Sequence, residues 1–75
     1  MDAQTIFGNN VRQARVASGM SQEELAFQAG LARSYMSDVE RGRRNPTVKI
    51  VGQIAAALKV SASVLVEGIP EDIAE

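Results

Sequence analysis

Glycine sets the lengths of the elements this chain can form. Gly19, Gly30 and Gly42 each close a stretch whose apolar residues recur at helical intervals, and no stretch shows the sustained alternation of a strand. Before Gly19, the residues Phe7, Val11 and Ala14 recur at i, i+4 and i+7, which predicts a first helix with one apolar stripe. Ser21-Gln22-Glu23-Glu24 then reads as a capping box. In such a box the Ser21 hydroxyl accepts from the Glu24 amide, and the Glu24 carboxylate reaches back to the Ser21 amide. The helix it starts turns Leu25, Ala26 and Ala29 inward and stops at Gly30, a residue suited to the left-handed turn after a helix. A third helix, roughly Arg33 to Arg41, turns Met36 and Val39 inward and stops at Gly42.

Past the loop Arg43-Arg44-Asn45-Pro46, Thr47 is placed to cap a fourth helix carrying Ile50, Val51, Ile54, Ala55 and Leu58 on a broad apolar face. Ser61 caps a short fifth helix ending near Gly68, and the acids after Pro70 predict a solvated tail. The expected fold is all-α: five short helices, one domain over residues 1–68 and a tail over 69–75. Helices two and three, joined at Gly30, have the layout of a helix-turn-helix over about residues 22–41. Spacing alone does not separate that motif from a generic helical bundle.

A chain of 75 residues buries only about 60% of the surface its unfolded form exposes. It has no Cys and no His, which removes disulfides and any thiolate or imidazole metal site, and its carboxylates are dispersed. Neither metal nor cofactor is expected, and stability must come from helix packing and association. Catalysis is not expected either, because the serines have no visible base and no acid is paired with one. No run approaches the ~18 apolar residues of a membrane span, and the start lacks a basic region ahead of an apolar one. A cytoplasmic protein with no membrane partner is therefore expected.

The net charge of −1 hides a division along the chain. Residues 12–49 carry seven Lys and Arg against four Asp and Glu, a net +3, whereas residues 50–75 carry one against four, a net −3. Phosphate is met by a local patch and not by a total, so the central segment is the place to look for a nucleic-acid surface.

The string Ser21-Gln22-Glu23-Glu24-Leu25-Ala26, followed by Ala29-Gly30-Leu31 and Val39-Glu40-Arg41-Gly42, closely resembles the Cro/phage-repressor (xenobiotic-response-element) family of helix-turn-helix domains. The likeness runs on through Asn45-Pro46-Thr47, Ile54-Ala55-Ala56-Ala57-Leu58, Val60-Ser61 and Leu65, covering about Phe7 to Gly68. The small size, with Arg33-Ser34-Tyr35-Met36-Ser37 and Glu40-Arg41-Gly42-Arg43-Arg44-Asn45, also looks like the controller proteins of restriction–modification systems. The resemblance implies a five-helix, lambda-repressor-like domain whose third helix lies in the DNA major groove, and a homodimer regulating transcription from a pseudo-palindromic operator. RNA polymerase is a further candidate partner. The rival of another class is an antitoxin or protein-interaction module on the same fold.

On that reading Arg33, Ser34, Ser37 and Asp38 are the candidate base contacts. Arg33, at the start of the third helix, can grip guanine O6 and N7 with two donors. Asp38 is open between accepting from a cytosine amino group and pairing with Arg41 or Arg33. Gln22, Tyr35, Arg43, Arg44 and Asn45 are the candidate backbone contacts. Gln22 begins the helix whose amides favour an anion. Tyr35 could offer its hydroxyl to a phosphate or cover core, and Asn45 could cap the loop or touch phosphate. The family also implies a partly buried ion pair, here between Arg15 and Glu40. Val64, Leu65 and Val66 cannot all turn into one core, so a two-fold contact is expected around Val64, with Ala62, Val66, Ile69 and the tail residue Ile73 as further apolar material; the alternative is that the valines stay exposed singly.

Overall fold

The computed structural model describes residues 1–70; of the expected tail over 69–75, residues 71–75, with Ile73, lie outside the described residues, while Ile69 packs against the core. Five helices follow one another: α1 (Ala3–Ser18), α2 (Gln22–Ala29), α3 (Arg33–Glu40), α4 (Val48–Leu58) and α5 (Ala62–Leu65). Among the described residues there is no strand, and no helix is long and apolar enough to cross a membrane.

Most helix starts follow from short polar side chains. Asp2 accepts from the Thr5 amide, Ser21 from the Glu24 amide at 3.0 Å and Thr47 from the Ile50 amide. Each cap satisfies one of the amides a helix start leaves without a partner. Hydrogen bonds from Thr5 also hold the Asp2 carboxyl below its ordinary value. The capping box at Ser21 is only half made, since no hydrogen bond returns from the Ser21 amide to Glu24. The recognition candidate α3 starts differently: Ala32 stands at its cap position and supplies no side-chain bond.

Two helix ends differ from the spacing-based expectation. The third helix stops at Glu40, with Arg41 as its cap residue, and the fifth is a single turn ending at Leu65 rather than near Gly68. In the first case the Arg41 and Gly42 amides already close back on the helix carbonyls. In the second, the chain turns outward after Leu65, where the Asn10 side-chain amide donates to the Leu65 and Glu67 carbonyls and ties the segment to α1.

The core draws one or more residues from every helix: Phe7 and Val11, Leu25, Ala26 and Ala29, Met36 and Val39, Ile54, Ala55, Ala57 and Leu58, and Leu65. Six of them (Val11, Leu25, Met36, Val39, Ile54 and Leu65) are fully buried. At about 1.5–3 kcal/mol for each large side chain, this shared core is what offsets the cost of ordering such short helices. α3 is clasped between α1 and α2. The fit against α1 is tight enough to need glycine twice. A Cβ on Gly8 would run into the Val39 carbonyl oxygen, and one on Gly42 would meet Thr5 at 2.8–3.3 Å. Gly42 also takes φ 74°, a left-handed conformation that side chains rarely adopt. These contacts set the height at which α3 stands on the domain.

Candidate nucleic-acid interface

Burial divides α3 by residue. Met36 and Val39 are buried, Arg33 and Ser34 are exposed, and Tyr35, Ser37, Asp38 and Glu40 are half-buried. The exposed residues lie at the N-terminal end, where the absence of a side-chain cap leaves the first amides open to an outside acceptor. α2 and α3 meet through the Gly30 turn, where Gly30 takes φ 72° and its amide and that of Leu31 close the end of α2. The helix-turn-helix geometry thus comes from two helices of eight residues and a three-residue link.

Arg33 is exposed and makes no ion pair among the described residues, as does Arg43 in the following loop. Arg44 is different. Its Nε meets Asp38 Oδ2 at 3.4 Å, and its guanidinium lies 5.2 Å from the centre of the Tyr35 ring. Asp38 therefore has an intramolecular partner, but it is Arg44 and not Arg41 or Arg33: the loop after α3 folds back along the helix and brings the residue six positions on beside it. The Arg43 amide donating to the Asp38 carbonyl at 2.9 Å fixes that return. Tyr35 packs its ring against the core while serving as the platform for Arg44. Asn45 is exposed and makes no hydrogen bond among the described residues, so it does not cap the loop.

At the other end of α3, Arg15 Nε donates to Glu40 Oε2 at 2.6 Å and Arg15 Nη2 to Glu40 Oε1 at 3.1 Å. The two side chains are 14% and 4% exposed. Arg15 Nη1 also donates to the Met20 carbonyl, joining the link between α1 and α2 to the pair. The hydrogen bonds to Glu40 raise the Arg15 guanidinium above its ordinary value, against the opposing effect of burial. Gln22, a candidate contact to the DNA backbone, gives one side-chain N–H to Glu40 Oε1 at 3.0 Å. A second N–H of its amide stays open to another acceptor.

The apolar residues expected around a two-fold contact do not form one face. Val64 is 43% exposed beside Asn10, Gln13 and Ala14 of α1. Val66 and Ile69 line a separate hollow with Ala3, Phe7 and Val51, and Ile69 is already half-buried against the core. Ala62 is exposed. An association surface centred on Val64 would therefore use α5 and α1 together, with Ile69 outside it.

Sequence reasoning overlooked Gly8, Asn10 and Phe27. Gly8 was legible in outline, lying three residues before Val11 on the inward stripe. Asn10 carried no signal, because its acceptors lie 55 and 57 residues away. Phe27, 84% exposed on α2, breaks the apolar pattern outward.

Residues 11–65 match the helix-turn-helix family HTH_3. Control protein C.BamHI of Bacillus amyloliquefaciens is 46% identical over 63 residues, covering 83% of this chain and 78% of that protein. Among solved structures, the restriction-modification controller protein C.AhdI from Aeromonas hydrophila is 44% identical with a TM-score of 0.81, over 83% of this chain and 94% of that one. The restriction-modification controller protein C.Esp1396I, solved as a tetramer in complex with its natural 35 base-pair operator, is 35% identical with a TM-score of 0.78, over 84% and 83%. With the turn at Gly30, the clasped α3 and the family match over most of its length, the chain belongs to the HTH_3 helix-turn-helix family.

Proposed function

We propose that this chain is a sequence-specific double-stranded DNA-binding transcriptional regulator of the controller type, acting as a cytoplasmic homodimer on a pseudo-palindromic operator. The observation that carries the reading is the division of α3. Its inward residues hold it on the core, its exposed N-terminal end presents Arg33 and Ser34 beside uncapped amides, and the arginine loop follows at its other end. Arg33 reads a guanine, Ser34 and Ser37 supply shorter contacts, and Arg43 and Arg44 meet the backbone. That relatives are restriction–modification controllers, one of them solved on its operator, supports the same assignment.

One helix of eight residues spans few base pairs, and two-fold symmetry doubles the site by placing two such helices about 34 Å apart, one turn of DNA. Selection of binding sites from random DNA by the purified protein tests the reading. Inverted half-sites spaced by about one turn are expected; a pool without enrichment overturns it. Sedimentation of wild type and Val64→Glu over a range of concentrations tests the dimer. Loss of association with the monomer still folded is expected. A wild type that stays monomeric both free and on its selected site removes the two-fold model. The rival, an antitoxin-like docking module, draws on Phe27, and it predicts no enrichment of DNA but an unchanged fold.

A further inference from the structure

α5 is a single turn, and its far end is closed differently from the ends of the longer helices. Gly19, Gly30 and Lys59 each return a backbone amide to carbonyls of the helix they end. Val66, at the cap position of α5, makes no such return among the described residues. The partner comes from α1 instead. Asn10 Nδ2 donates to the Leu65 carbonyl at 3.0 Å and to the Glu67 carbonyl at 2.8 Å. Both of its N–H groups are therefore spent on α5 and the residues just after it. Asparagine is a poorer helix former than the alanine or leucine that could stand inside α1, so what it contributes lies across the seam and not within its own helix.

Two features depend on that seam. Leu65 is fully buried and anchors α5 in the core, while Val64 beside it is exposed and lines a hollow with Asn10, Gln13, Ala14, Glu67 and Gly68. A helix of one turn has too few internal hydrogen bonds to hold its own shape, so Leu65 on one side and Asn10 on the other set the place of Val64. The same α1 also carries α3: Gly8, two residues before Asn10, lies against the Val39 carbonyl. Asn10 thus joins the apolar material of α5 to the helix that sets the height of α3. We propose that Asn10 is the positioning residue of the two-fold contact. By closing α5 from α1 it fixes Val64 where a second copy packs, and with it the spacing of the two α3 helices. This rests on the homodimer and DNA reading above. Asn10 acts through Val64 and needs no contact with DNA.

Two variants of the full chain test this. Asn10→Leu removes both donors at similar size, and Asn10→Asp keeps the shape but turns a carboxylate towards two carbonyl oxygens. Sedimentation is run over a range of concentrations, at a temperature where melting curves show both variants folded. The dimer dissociation constant should rise about tenfold for Asn10→Leu and further for Asn10→Asp. Affinity for a duplex with one half-site should match wild type, while affinity for the selected site with two half-sites falls. The penalty for inserting one base pair between those half-sites should shrink, because the spacing is no longer held. A role confined to the stability of the fold would lower both DNA affinities in step or leave both untouched below the melt, and either result overturns the proposal. If the variants do not fold, hydrogen exchange in the wild-type dimer decides. Both Asn10 side-chain amide protons should exchange more slowly than those of its exposed neighbour Asn9, and equal rates overturn the assignment. A dimeric wild type whose folded Asn10 variants associate normally sinks this proposal alone. A wild type that is monomeric both free and on its selected site sinks the homodimer reading and the proposal with it.

Discussion

Asp38 and Glu40 stand two residues apart on the same short helix, and each meets an arginine, yet the two pairs do different work. The Glu40 side chain is almost wholly buried and holds Arg15 by two hydrogen bonds, with Met20 and Gln22 completing the set. Asp38 meets Arg44 through one long contact, with side chains 29% and 51% exposed. The first pair ties α3 to α1 and to the start of α2. The second ties it only to the loop that follows. Breaking a buried pair strands a charge out of water, whereas an exposed pair exchanges protein for water at little cost. The same chemistry is therefore an anchor at one place and a releasable contact at the other, and solvent access decides which.

The largest expected effect follows from removing the anchor. Arg15→Ala leaves the Glu40 carboxylate buried without its counter-charge, and should cost about 3–5 kcal/mol of folding stability. That is a large share of the roughly 5–15 kcal/mol a domain has in total, so urea or thermal unfolding should show it plainly. Since its partner raises Arg15 above its ordinary value, its contribution is complete below that value and is lost only as pH climbs through the higher folded one. The difference between wild type and variant should therefore not depend on Arg15 titration anywhere near neutral pH. A variant as stable as wild type would mean the pair does not anchor α3.

Gly8→Ala probes the same end by shape rather than charge. The new Cβ would strike the Val39 carbonyl, a backbone atom that cannot step aside by changing rotamer. A loss of about 1–3 kcal/mol is expected, with weakened operator binding because α3 must shift against α1. Wild-type stability in a melting curve would show that the two helices separate freely there. At the outward face, Arg33→Ala should leave stability alone and cost about 1–3 kcal/mol of operator affinity, relaxing preference at one base in each half-site. Equal losses on operator and random DNA would reduce Arg33 to a general positive charge.

These contrasts also mark what the sequence makes legible. Helix starts at Ser21 and Thr47 and stops at Gly19 and Gly30 depend on residues within four positions, so the chain announces them locally. The inward residues of α3 follow from helical spacing for the same reason. The partner of Asp38 does not, because it depends on how the loop after α3 returns. Nor does the bond between Gln22 and Glu40, which joins residues 18 positions apart through tertiary packing. Gly8 illustrates a different obstacle. Inside a helix glycine reads only as a weak helix former, and the close approach that requires it belongs to another helix.

The smallest effect is expected from Asp38→Asn, and it is the one that separates the two pairs most sharply. An exposed pair is worth about 0–1 kcal/mol, so the melting temperature should hardly move. DNA binding should respond in the opposite direction to every other variant. In the free protein Arg44 rests between Asp38 and the Tyr35 ring, and a phosphate must win it from that carboxylate. Asp38 also brings a negative charge to the surface proposed to face phosphates. Replacing it by the neutral amide of the same shape should strengthen binding to random DNA by up to about fivefold, the equivalent of about 1 kcal/mol. Operator binding should gain less, because there the base contacts already fix the complex. The ratio of operator to random-DNA affinity, measured at one salt concentration, should therefore fall. On this view Asp38 is a counter-charge that holds back indiscriminate binding. If operator affinity drops instead, with the loss confined to one base position, Asp38 accepts from a cytosine amino group and its pairing with Arg44 is only a resting arrangement.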